Sequence, residues 1–386
     1  MNINTIWPWV MVISAGAALR VGIASVAPLL VPIQDDLAVG AGAVGLLTAI
    51  PVICMGGLSW LGSATERRWG MKRSMVAALA LLATGVLWRG WVHSFSVLLL
   101  TAVLVGVGDA LIRPLLSGFI KQTFEQRAHV VMGVYAASMG IGAAFSAYTT
   151  PWLANAFSSW QWALGCWGLG VLGALVLWCC WTAPRSLPEQ SPPVSIVPAR
   201  SAVLWLTLFF GLQAGINYTV VAWLPSVSSG LGLTAVMASA VMGIFLLIQT
   251  AASLLFPLIL RKNPHTMISA SAVFTALIAG GAALLYSATS VWGAAVLLGV
   301  GTGGLFPVAL SLPLLFSSTG RDATRLSSVS QSGGYLLGGV MPWLAGALMP
   351  WIGTPKAMIV LCVLMALLLG GVVGRVAVHY TRYTAQ

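Results

Sequence analysis

The chain has 386 residues, of which 59% are hydrophobic and 6% are charged, whereas about 25% of the residues of a typical soluble domain are charged. Eighteen Lys and Arg residues stand against seven Asp and Glu residues, so the formal net charge is +11. This composition excludes a soluble enzyme, a disordered chain and a secreted disulfide scaffold, and it predicts an all-α integral membrane protein whose few charges lie mainly in loops.

Twelve segments are long and apolar enough to cross a bilayer, which takes about 20 mostly apolar residues per helix. In chain order they are residues 9–34, 43–64, 74–92, 95–120, 130–154, 161–182, 203–226, 235–260, 266–287, 290–316, 326–351 and 356–379. A proline-rich polar stretch separates the first six segments from the last six. The sequence therefore predicts an N-terminal six-helix bundle at 1–183, a cytoplasmic linker at 184–201 and a C-terminal six-helix bundle at 202–386.

The basic residues fall almost entirely on one side of the predicted membrane. With both termini in the cytoplasm, fourteen of the eighteen lie on the cytoplasmic side, Arg89 and Lys356 lie on the outer side, and two lie inside predicted helices. This asymmetry follows the positive-inside rule. We therefore expect a multi-pass protein of the bacterial inner membrane with both termini cytoplasmic, and we attribute the positive charge to topology and not to nucleic-acid binding.

The two halves of the chain match each other at a constant offset. Leu19-Arg20 recurs as Leu212-Gln213, and Gly106-Val107-Gly108 recurs as Gly299-Val300-Gly301, each 193 residues later. Six spans followed by six others keep the same orientation, so the repeats are parallel. Two parallel six-helix halves, with a substrate site between them near the bilayer midplane, are the architecture of major facilitator transporters.

Short motifs follow one another in order along almost the whole chain. They are Leu19-Arg20 with Ala27-Pro28-Leu29-Leu30, Leu47-Thr48-Ala49-Ile50-Pro51, Ile120-Lys121, Trp162-Ala163-Leu164, Phe210-Gly211-Leu212-Gln213 with Ala222-Trp223-Leu224-Pro225, and Gln331 to Tyr335. This set resembles the cyanate transporter family, the branch of the major facilitator superfamily that also includes 2-nitroimidazole exporters. The resemblance implies a secondary transporter of a small monovalent anion, cyanate first, that works by alternating access. Export of neutral nitroimidazole-like or other drug-like compounds is the alternative.

The segment 66–73, between the second and third predicted spans, resembles the gating loop of the superfamily. Glu66, Arg67, Arg68 and Gly70 are its candidate gating residues. The segment departs from the usual pattern because its acidic residue lies one place too early relative to Gly70. The resemblance therefore implies a gating role for the loop and leaves proton-coupled gating open.

Three charged residues, Arg20, Asp109 and Arg113, remain at the predicted membrane depth, where each costs at least ~2.5–3.5 kcal/mol on insertion scales. Arg20 is expected either to hold an anion by charge-assisted hydrogen bonds or to brace two helices. Asp109 and Arg113 are four residues apart, so they can pair on one helix face. Alternatively, Asp109 is the proton-coupling residue and Arg113 contacts the substrate. The net charge of +1 favours a monovalent anion.

Polar side chains in the second half complete the predicted substrate site. Gln213 occupies the repeat position of Arg20, and Asn217 follows one helical turn later. These amides either face the ligand or bond between helices. Tyr218 and Tyr335 carry hydroxyls that need partners in an apolar setting, and they either line the cavity or serve packing.

The chain offers no constellation for catalysis or for a cofactor. It has no Walker motif, no metal-ligand spacing and no interior histidine cluster. We therefore expect no enzymatic activity, no cofactor and no metal. The predicted partners are a small anion, protons if transport is coupled, and the lipid bilayer, and the protein is expected to be a monomer.

Overall fold

The structure of the protein is a computed structural model that describes residues 3–39, 41–124, 127–181, 200–259 and 264–384. Within these ranges the regular secondary structure is entirely helical, as the sequence predicts. The helices are α1 Ile3–Ala24, α2 Leu30–Leu37, α3 Ala41–Leu58, α4 Trp60–Trp88, α5 Phe95–Phe124, α6 Ala128–Phe157, α7 Trp160–Gly165, α8 Trp167–Cys180, α9 Arg200–Gly230, α10 Ala235–Ile259, α11 Pro264–Ala283, α12 Val291–Leu315, α13 Gly320–Ile352 and α14 Thr354–Thr384.

Ten segments within the described ranges are long and apolar enough to cross a membrane. They correspond to ten of the twelve predicted spans. The other two, 43–64 and 326–351, correspond to α3, which has 18 residues, and to α13, which has 33 residues and begins with the charged turns around Arg321 and Asp322. The predicted count of twelve therefore corresponds to ten long apolar helices and two that are shorter or more polar.

Gly70 interrupts α4 within the predicted loop between the second and third spans. Its backbone has φ 78° and ψ 165°, which is outside the helical region and which a residue with a Cβ rarely adopts. The residues on either side of Gly70 are helical. Glycine at this position therefore permits the kink that separates the two halves of α4.

The chain packs into two compact units, and each takes in a short segment from the opposite half of the sequence. The first unit consists of Met1–Glu125, Ser138–Ile196 and Ser318–Ser328. The second consists of Gln126–Ala137, Val197–Ser317 and Val329–Gln386. We call Gln126–Ala137 and Ser318–Ser328 the exchanged segments. The predicted linker, 184–201, lies almost wholly outside the described residues.

Helix packing inside each unit is close. In the first unit α5 packs on both α3 and α4, and in the second α12 packs on α10 and α11. A Cβ at Gly108 of α5 would lie 2.9 Å from the Leu82 Cβ of α4, so this pair of helices meets at glycine. Small residues at such contacts are typical of helices packed in a bilayer.

Large apolar side chains cover much of the outer surface. Leu247, Trp343 and Phe145 expose 71%, 70% and 60% of their area. A soluble protein seldom exposes so many large apolar groups together, because each would be in contact with water. Together with the apolar helices, this surface is that of a multi-pass membrane protein.

Candidate functional site

Asp109 and Arg113 form a two-pronged ion pair on α5. The Arg113 Nε donates to Asp109 Oδ1 at 2.7 Å, the Nη2 donates to Oδ2 at 3.0 Å, and both side chains are fully buried. The third nitrogen, Nη1, lies 4.0 Å from the Sδ of Met139 on α6. The pair is neutral as a whole, so it lowers the cost of placing both charges in the bundle.

Arg20 on α1 differs from Arg113 because none of the described residues pairs with it. Its side chain is half-buried, and its guanidinium makes no hydrogen bond or ion pair within the described ranges. It follows Ala17 by one turn, and a Cβ at Gly142 of α6 would lie 2.8 Å from the carbonyl oxygen of Ala17. Arg20 therefore lies next to the contact between α1 and α6, with its N–H donors available to a ligand.

A further buried charge, Arg89, follows α4 directly. Sequence reasoning placed Arg89 among the outer-side residues, but its side chain is only 1% exposed. Its Nη1 donates to the Gly22 carbonyl oxygen at 2.5 Å and its Nε donates to the Thr101 hydroxyl at 3.3 Å. The flanking residues, Trp88 and Gly90, are typical of a helix end and do not predict that the Arg89 side chain is buried. Neutral acceptors hold Arg89, whereas a carboxylate holds Arg113.

In the second unit, three polar side chains link α9, α10 and α12. The Gln249 amide Nε2 donates to Asn217 Oδ1 at 2.5 Å and to the Thr302 hydroxyl at 2.9 Å. Asn217 is a predicted site residue, and the structure places it in this interhelical link. Sequence reasoning did not select Gln249 or Thr302. An isolated amide in the apolar α10 was the available signal for Gln249.

Gln249→Met is expected to lower the free energy of unfolding by about 1–3 kcal/mol, because it leaves the Asn217 oxygen without its donor in a partly buried position. Thermal unfolding of the purified protein in detergent measures this loss. Thr250→Val is the matched control on the next residue, whose hydroxyl bonds to the Leu246 carbonyl of its own helix. The control should stay within about 0.5 kcal/mol of wild type. Equal stability of Gln249→Met and wild type would contradict a structural link.

The other predicted residues of the second unit lie on α9 and α13. Gln213 is 2% exposed, and its Oε1 has no hydrogen-bond partner in the described part of the chain. The buried Tyr335 ring has its centroid 4.9 Å from that of Phe210 and 6.4 Å from that of Tyr218. Gln331, one turn before Tyr335, is fully buried, and neither atom of its amide has a partner among the described residues.

The candidate gating residues lie around the kink at Gly70. Glu66 is buried, and the Thr324 side chain and the charge of Arg321 lie close to its carboxylate. Arg67 is exposed, as are Arg68 and Gly70. Glu66 therefore interacts with the exchanged segment Ser318–Ser328 inside the first unit.

Glycines bring this exchanged segment against the end of α5. A Cβ at Gly320 would lie 2.9 Å from the carbonyl oxygen of Gly118, and a Cβ at Gly118 would collide with the Thr324 hydroxyl. The other exchanged segment has a similar contact in the second unit, where a Cβ at Gly133 would lie 2.5 Å from the Pro257 Cγ. Side chains larger than hydrogen do not fit at these glycines.

A cleft of about 580 Å³ also opens in the first unit, near the ends of α2 and α6. Asp36 lines it and accepts hydrogen bonds from the Trp160 indole at 2.8 Å and the Gln161 amide at 3.4 Å. None of the predicted substrate-binding residues lines this cleft. The predicted residues are divided between the two units: Arg20, Asp109 and Arg113 belong to the first, and Gln213, Asn217, Tyr218 and Tyr335 belong to the second.

Comparison with known proteins covers nearly the whole chain. Residues 10–330 match the profile of the Major Facilitator Superfamily. The cyanate transport protein CynX of Escherichia coli (strain K12) is 31% identical over 336 residues, covering 86% of this chain and 86% of the relative. A 2-nitroimidazole transporter of the same organism is 32% identical over 342 residues, covering 86% and 85%.

Solved structures share the fold at lower sequence identity. The crystal structure of the human organic anion transporter MFSD10 (TETRAN) matches with a TM-score of 0.78 at 14% identity, covering 97% of this chain and all of that one. The fucose:proton symporter FucP of E. coli matches with a TM-score of 0.74 at 15% identity, covering 95% and 98%. The predicted all-α transporter fold is thereby confirmed.

Proposed function

Because the chain belongs to the Major Facilitator Superfamily, we propose that it transports a small monovalent anion, with cyanate as the first candidate, by alternating access. As a member of that family it is a multi-pass membrane transporter of small molecules and not an enzyme. The observation that carries the anion proposal is Arg20, a half-buried guanidinium with no hydrogen-bond or ion-pair partner in the described ranges. A cation in a bundle of apolar helices needs a counter-charge, and a bound anion supplies one.

Arg20 anchors the anion in this proposal through charge-assisted hydrogen bonds, which are shorter and stronger than neutral ones. Gln213 occupies the repeat-related position in the second half and is the corresponding ligand-binding amide of the second unit. Tyr218 and Tyr335 supply further hydroxyl donors. Asn217 contributes its amide, which is held in place by the hydrogen bond that Gln249 donates to its oxygen. The relative that is a cyanate transport protein, 31% identical, supports cyanate as the first ligand to test.

Asp109 and Arg113 couple transport to protons in the proposed mechanism. In the described state Asp109 occupies two donors of Arg113, so the pair adds no net charge. A proton on Asp109 releases those donors and makes the bundle more positive by one charge, which favours anion binding. Proton and anion then move together, and the sign of this coupling is that of symport.

The decisive experiment is thermal stabilisation of the purified protein by cyanate and other small anions, because a ligand that binds only the folded state raises its apparent stability. Arg20→Ala is expected to weaken anion binding about 10- to 100-fold, the value of one or two hydrogen bonds to a charged group. Arg382→Ala, which removes an exposed positive charge near the end of α14, is the matched control and should bind like wild type. An unchanged shift in Arg20→Ala would overturn the anchor.

The cellular setting is part of the same proposal. We place the protein in the bacterial inner membrane as a monomer, with both termini and the gating residues Glu66, Arg67, Arg68 and Gly70 on the cytoplasmic side. The support is the positive-inside asymmetry of the loops. Labelling of a cysteine added after Gln386 in intact and in lysed cells tests the side of the C-terminus, and labelling in intact cells would contradict it.

Export of a neutral nitroimidazole-like compound is the second candidate. The relative that is a 2-nitroimidazole transporter, 32% identical, supports it. The specific observation in its favour is the buried uncharged amide of Gln331, which has no bonding partner among the described residues. Competition between 2-nitroimidazole and cyanate separates the two candidates, because a neutral ligand should keep its affinity in Arg20→Ala.

A further inference from the structure

Gln331 carries the least satisfied polar side chain of the described second unit. It is fully buried, and neither its Nε2 nor its Oε1 has a hydrogen-bond partner among the described residues. Exchanging the assigned positions of the amide nitrogen and oxygen would still leave one donor and one acceptor without a hydrogen bond, because both atoms lack partners. A buried group in this state is costly, so its retention calls for an explanation. A ligand that accepts one hydrogen bond and donates another would satisfy both atoms of the Gln331 amide.

Contacts at glycine residues give the level of Gln331 within the second unit. A Cβ at Gly334 would lie 2.6 Å from Phe210, and a Cβ at Gly338 would lie 2.9 Å from Ala214, so α13 and α9 run parallel and side by side. A Cβ at Gly333 would lie 2.6 Å from Thr207. Gln331 therefore lies near the level of Thr207, about six residues before Gln213, or ~9 Å along the helix axis.

Tyr335 lies between these two levels. It follows Gln331 by one turn, on the same face of α13, and its ring packs against Phe210. This axial offset of ~9 Å between the backbone levels of Gln331 and Gln213 is longer than a triatomic anion. Gln331, Tyr335 and Gln213 thus follow one another along the two parallel helices.

We propose that Gln331 is a second ligand-binding position, and that it selects ligands that carry an N–H or O–H group beside a hydrogen-bond acceptor. The amide edge pairs with such a ligand through two hydrogen bonds, one in each direction. This inference rests on the proposed function, because it assumes that small polar solutes pass through the second unit. The same edge is matched by a neutral heterocycle with a ring N–H and by the protonated form of a small carboxylate, whose O–H and C=O groups lie side by side.

A matched pair of ligands tests the donor requirement. 2-Nitroimidazole has a ring N–H, and 1-methyl-2-nitroimidazole has a methyl group there, so the two compounds differ mainly in the donor. In slightly acidic buffer, wild type should bind the N–H compound about tenfold more tightly, the value of one well-made hydrogen bond in a buried site. Gln331→Met should bind both compounds equally. A preference that persists in Gln331→Met would overturn the proposal.

A second arm separates the two ligand sources. If the protonated form of a carboxylate binds at Gln331, the affinity of wild type for formate rises as the pH falls, and Gln331→Met loses this rise. If a heterocycle binds there, only the pair of nitroimidazoles distinguishes wild type from the variant. If the affinity for formate and the preference between the nitroimidazoles are both unchanged in Gln331→Met, neither kind of ligand binds at Gln331 and the proposal is overturned.

Stability measurements separate a binding role from a folding role. Methionine is close to glutamine in length and removes the unsatisfied amide, so Gln331→Met should melt at or above the temperature of wild type without ligand, unlike Gln249→Met. Gln331→Leu is the second variant if methionine does not express. If no ligand stabilises wild type, the proposed function fails along with this inference. If ligands bind and depend on Arg20 but ignore Gln331, only this inference fails.

Discussion

Asp109→Asn is expected to lower the free energy of unfolding by about 3–5 kcal/mol, because the fully buried Arg113 guanidinium loses its counter-charge. Removing one partner of a buried ion pair leaves the other charge uncompensated, which costs more than the pair itself contributes. The double variant Asp109→Asn/Arg113→Gln removes both charges and should recover most of the loss. Chemical denaturation in detergent measures all three proteins.

The exposed Asp35 supplies the control, since Asp35→Asn removes a carboxylate that lies outside the bundle. It should stay within about 0.5 kcal/mol of wild type. A double variant as unstable as Asp109→Asn alone would show that the two side chains do not act as a pair.

The same variants test the proposed proton coupling. The double variant keeps the packing of the pair and has no titratable group at position 109, so it should transport the anion without the pH dependence of wild type. Uptake by proteoliposomes at several external pH values measures this. A double variant that retains the full pH dependence would eliminate Asp109 as the coupling residue.

Gly118→Val is expected to displace the exchanged segment Ser318–Ser328 from the first unit, because the new Cβ collides with the Thr324 hydroxyl and the Gly320 carbonyl. Overpacking of this kind costs about 1–3 kcal/mol, which shifts a two-state equilibrium roughly 5- to 150-fold. Ser328 is fully buried within the segment, so a cysteine placed there should react much faster with a maleimide.

The labelling is done with the exposed Cys179 and Cys180 replaced by serine. Gly57→Val is the matched control, since a Cβ at Gly57 would meet no atom within 4 Å. We expect Gly118→Val to reduce transport at least about tenfold, because a displaced segment would interrupt the proposed cycle of alternating access. Unchanged labelling at position 328 would show that these glycines do not hold the segment.

Features set by composition and periodicity were predictable from the sequence. The all-helical fold and ten of the twelve spans follow from apolar runs of about 20 residues. Such a run spans a bilayer as a helix because a helix satisfies its backbone hydrogen bonds within itself. The family followed from motifs that recur in a fixed order. The Asp109–Arg113 pair was expected as one of two alternatives, because a spacing of four residues places both on one helix face.

Features that depend on tertiary contacts were not predictable. Arg89 has the local sequence of a residue at a helix end, and its burial depends on the Gly22 carbonyl, which is 67 residues away. The link of Asn217 to Gln249 depends on how α9 and α10 are rotated against each other, which a single sequence does not encode visibly. Gln331 was noticed only as part of a family motif, because an absent bonding partner is a property of the folded protein.

Arg89 has a consequence for the insertion of the chain into the membrane. Its two acceptors are Gly22 on α1, which is synthesised earlier, and Thr101 on α5, which follows twelve residues later. An α4 that entered the lipid before α5 would have only the Gly22 carbonyl as an acceptor for its guanidinium, whereas the two helices inserted as a hairpin bring the Thr101 hydroxyl with them. We therefore expect α4 and α5 to leave the translocon together, so that truncation of the nascent chain between them yields an unstably inserted intermediate.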